Sequence, residues 1–162
     1  MSWKVAIGLM YGLGGGSTSP GIDLLASEIK KLGPDVVVLG PYDQANWQQC
    51  AHDLSRYTVE KLVCIGYSMG ANNTTFVANS LSHLDLLIAI QPTMWEQAET
   101  IPSKVKKAIE IYNPNVVETA GLGARKLTGF HTSYVTNSDL HPYADNDPAV
   151  HKYIVEEVRK LL

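Results

Sequence analysis

The chain has 162 residues, 45% of them hydrophobic and 18% charged, with a formal net charge of −3. That length suits one domain with a core large enough to need no metal or disulfide staple, and the composition excludes a disordered chain. Mild acidity without a basic cluster offers no footprint for nucleic acid, and no apolar run reaches the roughly 18 residues of a membrane span.

Apolar runs alternate with helix-like stretches along the chain. Trp3 to Met10 predicts a first strand, followed by the glycine-rich loop Tyr11-Gly12-Leu13-Gly14-Gly15-Gly16-Ser17. Ile22 to Leu32 carries apolar residues at helical spacing and stops at Gly33-Pro34. Val36 to Leu39, ending before Gly40-Pro41, predicts a strand buried on both faces. A polar helix over Ala45 to Tyr57 leads into the apolar run from Leu62 to Ile65, and helical composition resumes from Ala71 to Leu81. Asp85 to Pro92 predicts the next buried strand, and Lys107 to Tyr112 another, closed by Asn113-Pro114. An alternating run from Thr128 to Thr136 predicts a last strand, and Pro148 to Leu162 a closing amphipathic helix. Six strands alternating with helices predict an α/β fold over residues 1–162, a mainly parallel sheet of about six strands covered on both faces.

Between the third strand and its helix lies Gly66-Tyr67-Ser68-Met69-Gly70. A Gly-x-Ser-x-Gly match in a chain of this composition arises by chance with a probability of roughly 0.07, so its position gives it meaning. At a strand-to-helix turn the glycines let the backbone bend sharply and put Ser68 at the apex, facing the positive end of the helix. The competing structural reading makes Ser68 a helix N-cap in a tightly packed turn.

A serine hydroxyl needs a base, and an acyl transfer needs two N–H groups for the oxyanion. His52 and His151 fall on predicted helices and His83 ahead of a strand, which suits solvated or capping roles. His131 falls inside the last strand and would reach the site only if that strand were shorter. His141, in the loop between the last strand and last helix, falls where a base should be.

These features resemble the α/β-hydrolase superfamily, in a small form without a cap domain. The resemblance spans nearly the whole chain: the loop Tyr11 to Gly16, the elbow Gly66 to Gly70, and His141 before the last helix. It implies Ser68 as nucleophile, His141 as general base, and the backbone N–H groups of Leu13 and Met69 as the oxyanion hole. It also implies an acid at the end of the strand after the elbow, or one strand later. Those positions hold Gln91 and Asn113, amides that could orient an imidazole but stabilise its cation less than a carboxylate would. Glu96 and Asp139 stay open as alternatives, while Asp145 and Asp147 are expected to cap the last helix.

Other signals are discounted. The glycine-rich loop departs from Gly-x-Gly-x-x-Gly at Ser17 and lacks the lysine of a P-loop. Asp145-Asn146-Asp147 lacks the glycine and distant glutamate of a calcium loop. Asn72-Asn73-Thr74 fits a glycosylation acceptor but falls in a predicted helix. Cys64 is expected to be buried, with no support for a bridge to Cys50, and Trp47, Trp95 and Tyr143 are candidate pocket residues. The sequence predicts a serine hydrolase of a small ester or thioester, with no metal or cofactor, and the opening residues are too short a run for a signal peptide, so the expected compartment is the cytoplasm. The alternatives are a binding protein that lost its acid and an acyltransferase.

Overall fold

The computed structural model describes residues 3–93, 96–112, 127–135 and 141–162, with 134, 135 and 141–143 described by backbone alone. Six strands make one sheet: β1 (Val5–Met10), β2 (Val36–Tyr42), β3 (Lys61–Tyr67), β4 (Leu84–Ile90), β5 (Val105–Tyr112) and β6 (Thr132–Val135). Their order is β2-β1-β3-β4-β5-β6, and every neighbouring pair is parallel. Among the described residues there are four α-helices: α1 (Pro20–Lys30), α2 (Trp47–Ser55) and α3 (Met69–Ser80) connect the first four strands in turn, and α4 (Pro148–Arg159) follows β6.

Alternation along the strands sorts the core into two layers. Ile7, Leu9, Ile65, Ile88 and Ile109 face α1 and α4 on one side of the sheet. Ala6, Cys64, Leu87, Ala89 and Ala108 face α2 and α3 on the other. Strands covered on both faces have no polar register, which is why β1, β3 and β4 read as unbroken apolar runs. Truncating a large residue at the centre, such as Ile65→Ala, would cost about 2–5 kcal/mol.

Three elements depart from the sequence reading. β2 is an edge strand, mostly half-exposed, and it continues through Gly40 and Pro41 to Tyr42 with a register shift opposite β1 between Gly8 and Met10. An edge accommodates proline because one side of its backbone has no neighbour to bond. β6 is shorter than the alternating run because Gly129, at φ +94, turns the chain against the Ile101 backbone before pairing begins. α2 starts at Trp47, after a 3-10 turn over Gln44–Asn46.

Candidate functional site

In parallel strands every carboxyl end lies on one edge of the sheet, and the elbow sits at the centre of that edge. Ser68 has φ 56 and ψ −123, a backbone conformation that side chains rarely adopt. Holding a non-glycine residue there costs on the order of 1–3 kcal/mol. The neighbours enforce it. A side chain on Gly66 would start 2.2 Å from the Gly70 carbonyl oxygen, and one on Gly70 would start 2.2 Å from that of Tyr11. The Ser68 N–H donates to the Ile90 carbonyl (2.9 Å), tying the apex to β4. Ser68 stands at the N-cap position of α3, yet its side chain makes no capping bond to the helix. The N-cap reading is therefore not the one observed.

The loop after β1 lies directly against this apex. A side chain on Gly12 would start 2.9 Å from the Ser68 Cβ, so only glycine lets the loop approach. Gly12 N–H donates to Ser19 Oγ at 3.2 Å, and the Leu13 carbonyl accepts from the Thr18 hydroxyl. The loop is thus pinned from the start of α1, with Gly14 and Gly15 in left-handed conformations. Leu13 is next in the chain after the glycine that touches Ser68, and its side chain is exposed. Met69 opens α3, where the first N–H groups have no partner within the helix.

On the other flank, Gln91 follows β4 in a left-handed conformation, φ 45, and is fully buried. Its N–H donates to the Ile111 carbonyl (2.7 Å), but neither side-chain amide atom has a hydrogen-bond partner among the described residues. Asn72, in the first turn of α3, holds the loop beyond it. Its Nδ2 donates to the carbonyls of Thr93 and Glu96 at 2.8 and 2.9 Å, and its Oδ1 accepts from the Thr93 N–H. Sequence reasoning missed this clamp, which no motif announces; Asn72, Asn73, Thr74 and Thr75 are all buried in α3. Glu96 directs one carboxylate oxygen at the neighbouring Gln97 N–H (3.0 Å). Asn113, Asp139 and Trp95 lie outside the described residues.

His141 opens a 3-10 turn over His141–Asn146, and its side chain lies outside the described residues, as does that of Tyr143. The turn itself packs against α1 and α4. Asp145 is buried and accepts the Gly21 N–H of α1 at 2.9 Å, and a side chain on Gly21 would collide with the Asp145 backbone. Burial raises the pKa of the Tyr67 hydroxyl, and the Asp145 charge raises it further, so Asp145 lies within electrostatic reach of the residue before Ser68. Asp145 is therefore not a cap of the last helix. Burial raises its own pKa against the opposing Gly21 hydrogen bond, and its Oδ1 has no hydrogen-bond partner among the described residues. Asp147 does cap α4, accepting from the Ala149 N–H at 2.8 Å.

The remaining histidines have other places. His131 precedes the short β6 at its amino end, with Nε2 3.1 Å from the buried Glu110 carboxylate, which also accepts the Leu127 N–H. His151, expected to be solvated or capping, is buried between the Glu28 carboxylate (3.1 Å) and the Asp145 carbonyl (2.5 Å). His52 and His83 are exposed. Cys50 and Cys64 are buried free thiols, and Trp47 stacks on Phe76. Among the described residues no three His, Cys, Asp or Glu side chains gather to hold a metal, and no helix is long and apolar enough to cross a membrane.

No protein-family model matches the chain, and no curated protein matches it. Solved structures do. A protein of the alpha/beta hydrolase superfamily from Xanthomonas campestris pv. campestris is 14% identical at a TM-score of 0.61, covering 97% of this chain and 99% of that one. Human thioesterase 2 is 13% identical at 0.60, covering 98% and 95%. Est1E from Butyrivibrio proteoclasticus is 12% identical at 0.56, covering 98% and 86%. At such low identity the likeness is one of architecture, and along nearly all of its length this chain has the α/β-hydrolase fold, with six parallel strands and four α-helices among the described residues.

Proposed function

We propose that the chain is a serine hydrolase that cleaves a carboxylic ester or thioester through an acyl-enzyme on Ser68, with His141 as general base. The Ser68 backbone carries this reading: a strained residue that packing of neighbouring glycines enforces, at the N-terminus of a helix it does not cap. Strain of this kind clusters at functional sites. The bond of Asp145, four residues beyond His141, to Gly21 of α1 and its charge felt at Tyr67 support His141 as the base, and likeness in fold to a thioesterase and an esterase supports the reaction class.

In this mechanism Ser68 Oγ adds to the acyl carbon as its proton passes to the His141 imidazole. The N–H groups of Leu13 and Met69 receive the oxyanion. Collapse breaks the bond to the leaving group, which departs as alcohol or thiol with the proton from the imidazolium. Water then attacks the acyl-serine with the same base and releases the acid. An amide oxygen, from Gln91 or Asn113, accepts the second imidazole N–H and fixes the ring.

The test is hydrolysis of a short-chain p-nitrophenyl ester, with turnover expected from the native chain and abolished in Ser68→Ala. A fluorophosphonate should label Ser68. Gln91→Met should leave stability unchanged or slightly higher, because an unpartnered buried amide is expensive, while slowing turnover on the order of tenfold. Unchanged turnover would remove Gln91 from the machinery. A second reading, a binding protein that lost its triad acid, is favoured by amides at both Gln91 and Asn113. An unreactive Ser68 would decide for it.

A further inference from the structure

Strand direction sorts the lysines and arginines among the described residues. Lys4 and Lys61 stand at the starts of β1 and β3, and Lys31, Arg56 and Lys160 close α1, α2 and α4, all at the amino edge of the sheet. Lys104, in the β4–β5 connection, turns to the Asn79 and Leu81 carbonyls at the far end of α3. Among the described residues, the loops leaving the carboxyl ends of β1, β2, β3 and β6 hold no lysine or arginine. Arg125 and Lys126 lie outside the described residues.

Carboxylates stand at both edges, but those at the amino edge are ion-paired, Asp35 with Lys4, Asp85 with Lys61 and Lys106, and Glu157 with Lys107 and Lys160, whereas these rim loops supply no lysine or arginine to Asp23 and Asp43. Asp43 Oδ1 lies 2.7 Å from where a Gly15 side chain would begin, packed on the loop that touches Ser68. Asp23 accepts the Tyr11 hydroxyl at 2.6 Å beside Gly16 of the same loop. Burial, the hydrogen bond to Asp23, and then the charges of Asp23 and Asp43 push the Tyr11 hydroxyl up to about 12. Both carboxylates are thus felt at the residue whose carbonyl abuts Gly70 of the elbow. A substrate approaching Ser68 meets a negative field at the rim, and fields of this kind set which charges are concentrated there.

We propose that Ser68 serves acyl groups carried on uncharged or cationic leaving groups, and discriminates against acyl groups carried on phosphate-bearing or other anionic alcohols and thiols. This rests on the serine-hydrolase reading and narrows its substrate class. Cleavage itself is unchanged: the acyl–sulfur or acyl–oxygen bond breaks, and the leaving group departs with the proton from His141.

The test uses the full chain and three acetyl thioesters of similar size, carried on thiocholine, 2-mercaptoethanol and 2-mercaptoethanesulfonate, with kcat/KM corrected for their hydroxide-catalysed rates. The cationic-to-anionic ratio is expected to reach about tenfold at ~0.01 M ionic strength and to fall toward one at ~1 M, as the screening length drops from roughly 30 to 3 Å. In the double variant Asp23→Asn, Asp43→Asn the low-salt ratio should shrink severalfold. A ratio near one, or a preference for the sulfonate, with thioesters turned over, overturns this inference and leaves the hydrolase reading standing. No turnover of any ester together with an unlabelled Ser68 overturns both. Should the double variant misfold, the salt dependence of the native chain still decides.

Discussion

Replacing Ser68 by glycine should make the protein more stable than replacing it by alanine, although both changes remove the hydroxyl. The reason lies in φ 56 and ψ −123. Alanine keeps a Cβ in that conformation and so keeps a strain of about 1–3 kcal/mol, whereas glycine adopts it freely. Against this, glycine adds roughly 0.5–1 kcal/mol of unfolded-chain entropy relative to alanine. At the middle of both ranges the difference favours glycine by about 1 kcal/mol, which in a domain of this size is roughly 2–4 °C in Tm. Comparing the two variants with each other cancels the contribution of the lost hydroxyl and its partners. Urea titration and thermal melts of both variants provide the measurement. If folded Ser68→Gly proves no more stable than folded Ser68→Ala, the elbow is not strained and the argument built on it fails.

Two further perturbations test the surroundings of the elbow. Gly70→Ala places a Cβ 2.2 Å from the Tyr11 carbonyl oxygen, a backbone atom that cannot rotate away. It should cost about 1–3 kcal/mol and slow fluorophosphonate labelling on the order of a hundredfold. Gly16→Ala meets only the Tyr11 hydroxyl (3.2 Å) and the Asp23 carboxylate (3.3 Å), which can give way, so its urea midpoint and labelling rate should stay near native. Equal behaviour of the two variants would contradict the steric account. Asp145→Asn concerns pH. Burial lifts the folded pKa of Asp145 above its unfolded value, so the ionised group subtracts from stability at neutral pH, and that penalty fades as pH falls through the folded pKa. An asparagine oxygen can still accept the Gly21 N–H. The variant should therefore be the more stable at neutral pH and lose its advantage near pH ~4, as read by denaturant midpoints across that range.

Physical reasons explain which parts of the fold could be read from the amino acids. β1, β3 and β4 were legible because a strand buried on both faces needs an apolar residue at every position. The elbow was legible because two glycines and a serine at fixed spacing suit few other purposes at a strand-to-helix turn. β6 was over-extended because alternation continues through Thr128 and His131, while the turn at Gly129 depends on the distant Ile101 backbone. Asp145 was misread for a similar reason. A carboxylate three residues before a helical proline looks like a cap, and nothing local discloses that its partner is Gly21, 124 residues away. Glycine near the start of an otherwise good helix was the one clue. The clamp of Asn72 on Thr93 and Glu96 was hidden for want of any motif, since a buried asparagine is recognised by its surroundings.

The amino edge mixes both signs in ion pairs such as Lys4–Asp35 and Lys106–Asp85, while the rim around Ser68 carries Asp23 and Asp43 without such partners among the described residues, so the molecule has an electrical front along the strand axis. Adsorbed on an anionic support it should turn that front away, leaving Ser68 toward the solution. On a cationic support it should lie face down, with the elbow pressed against the surface.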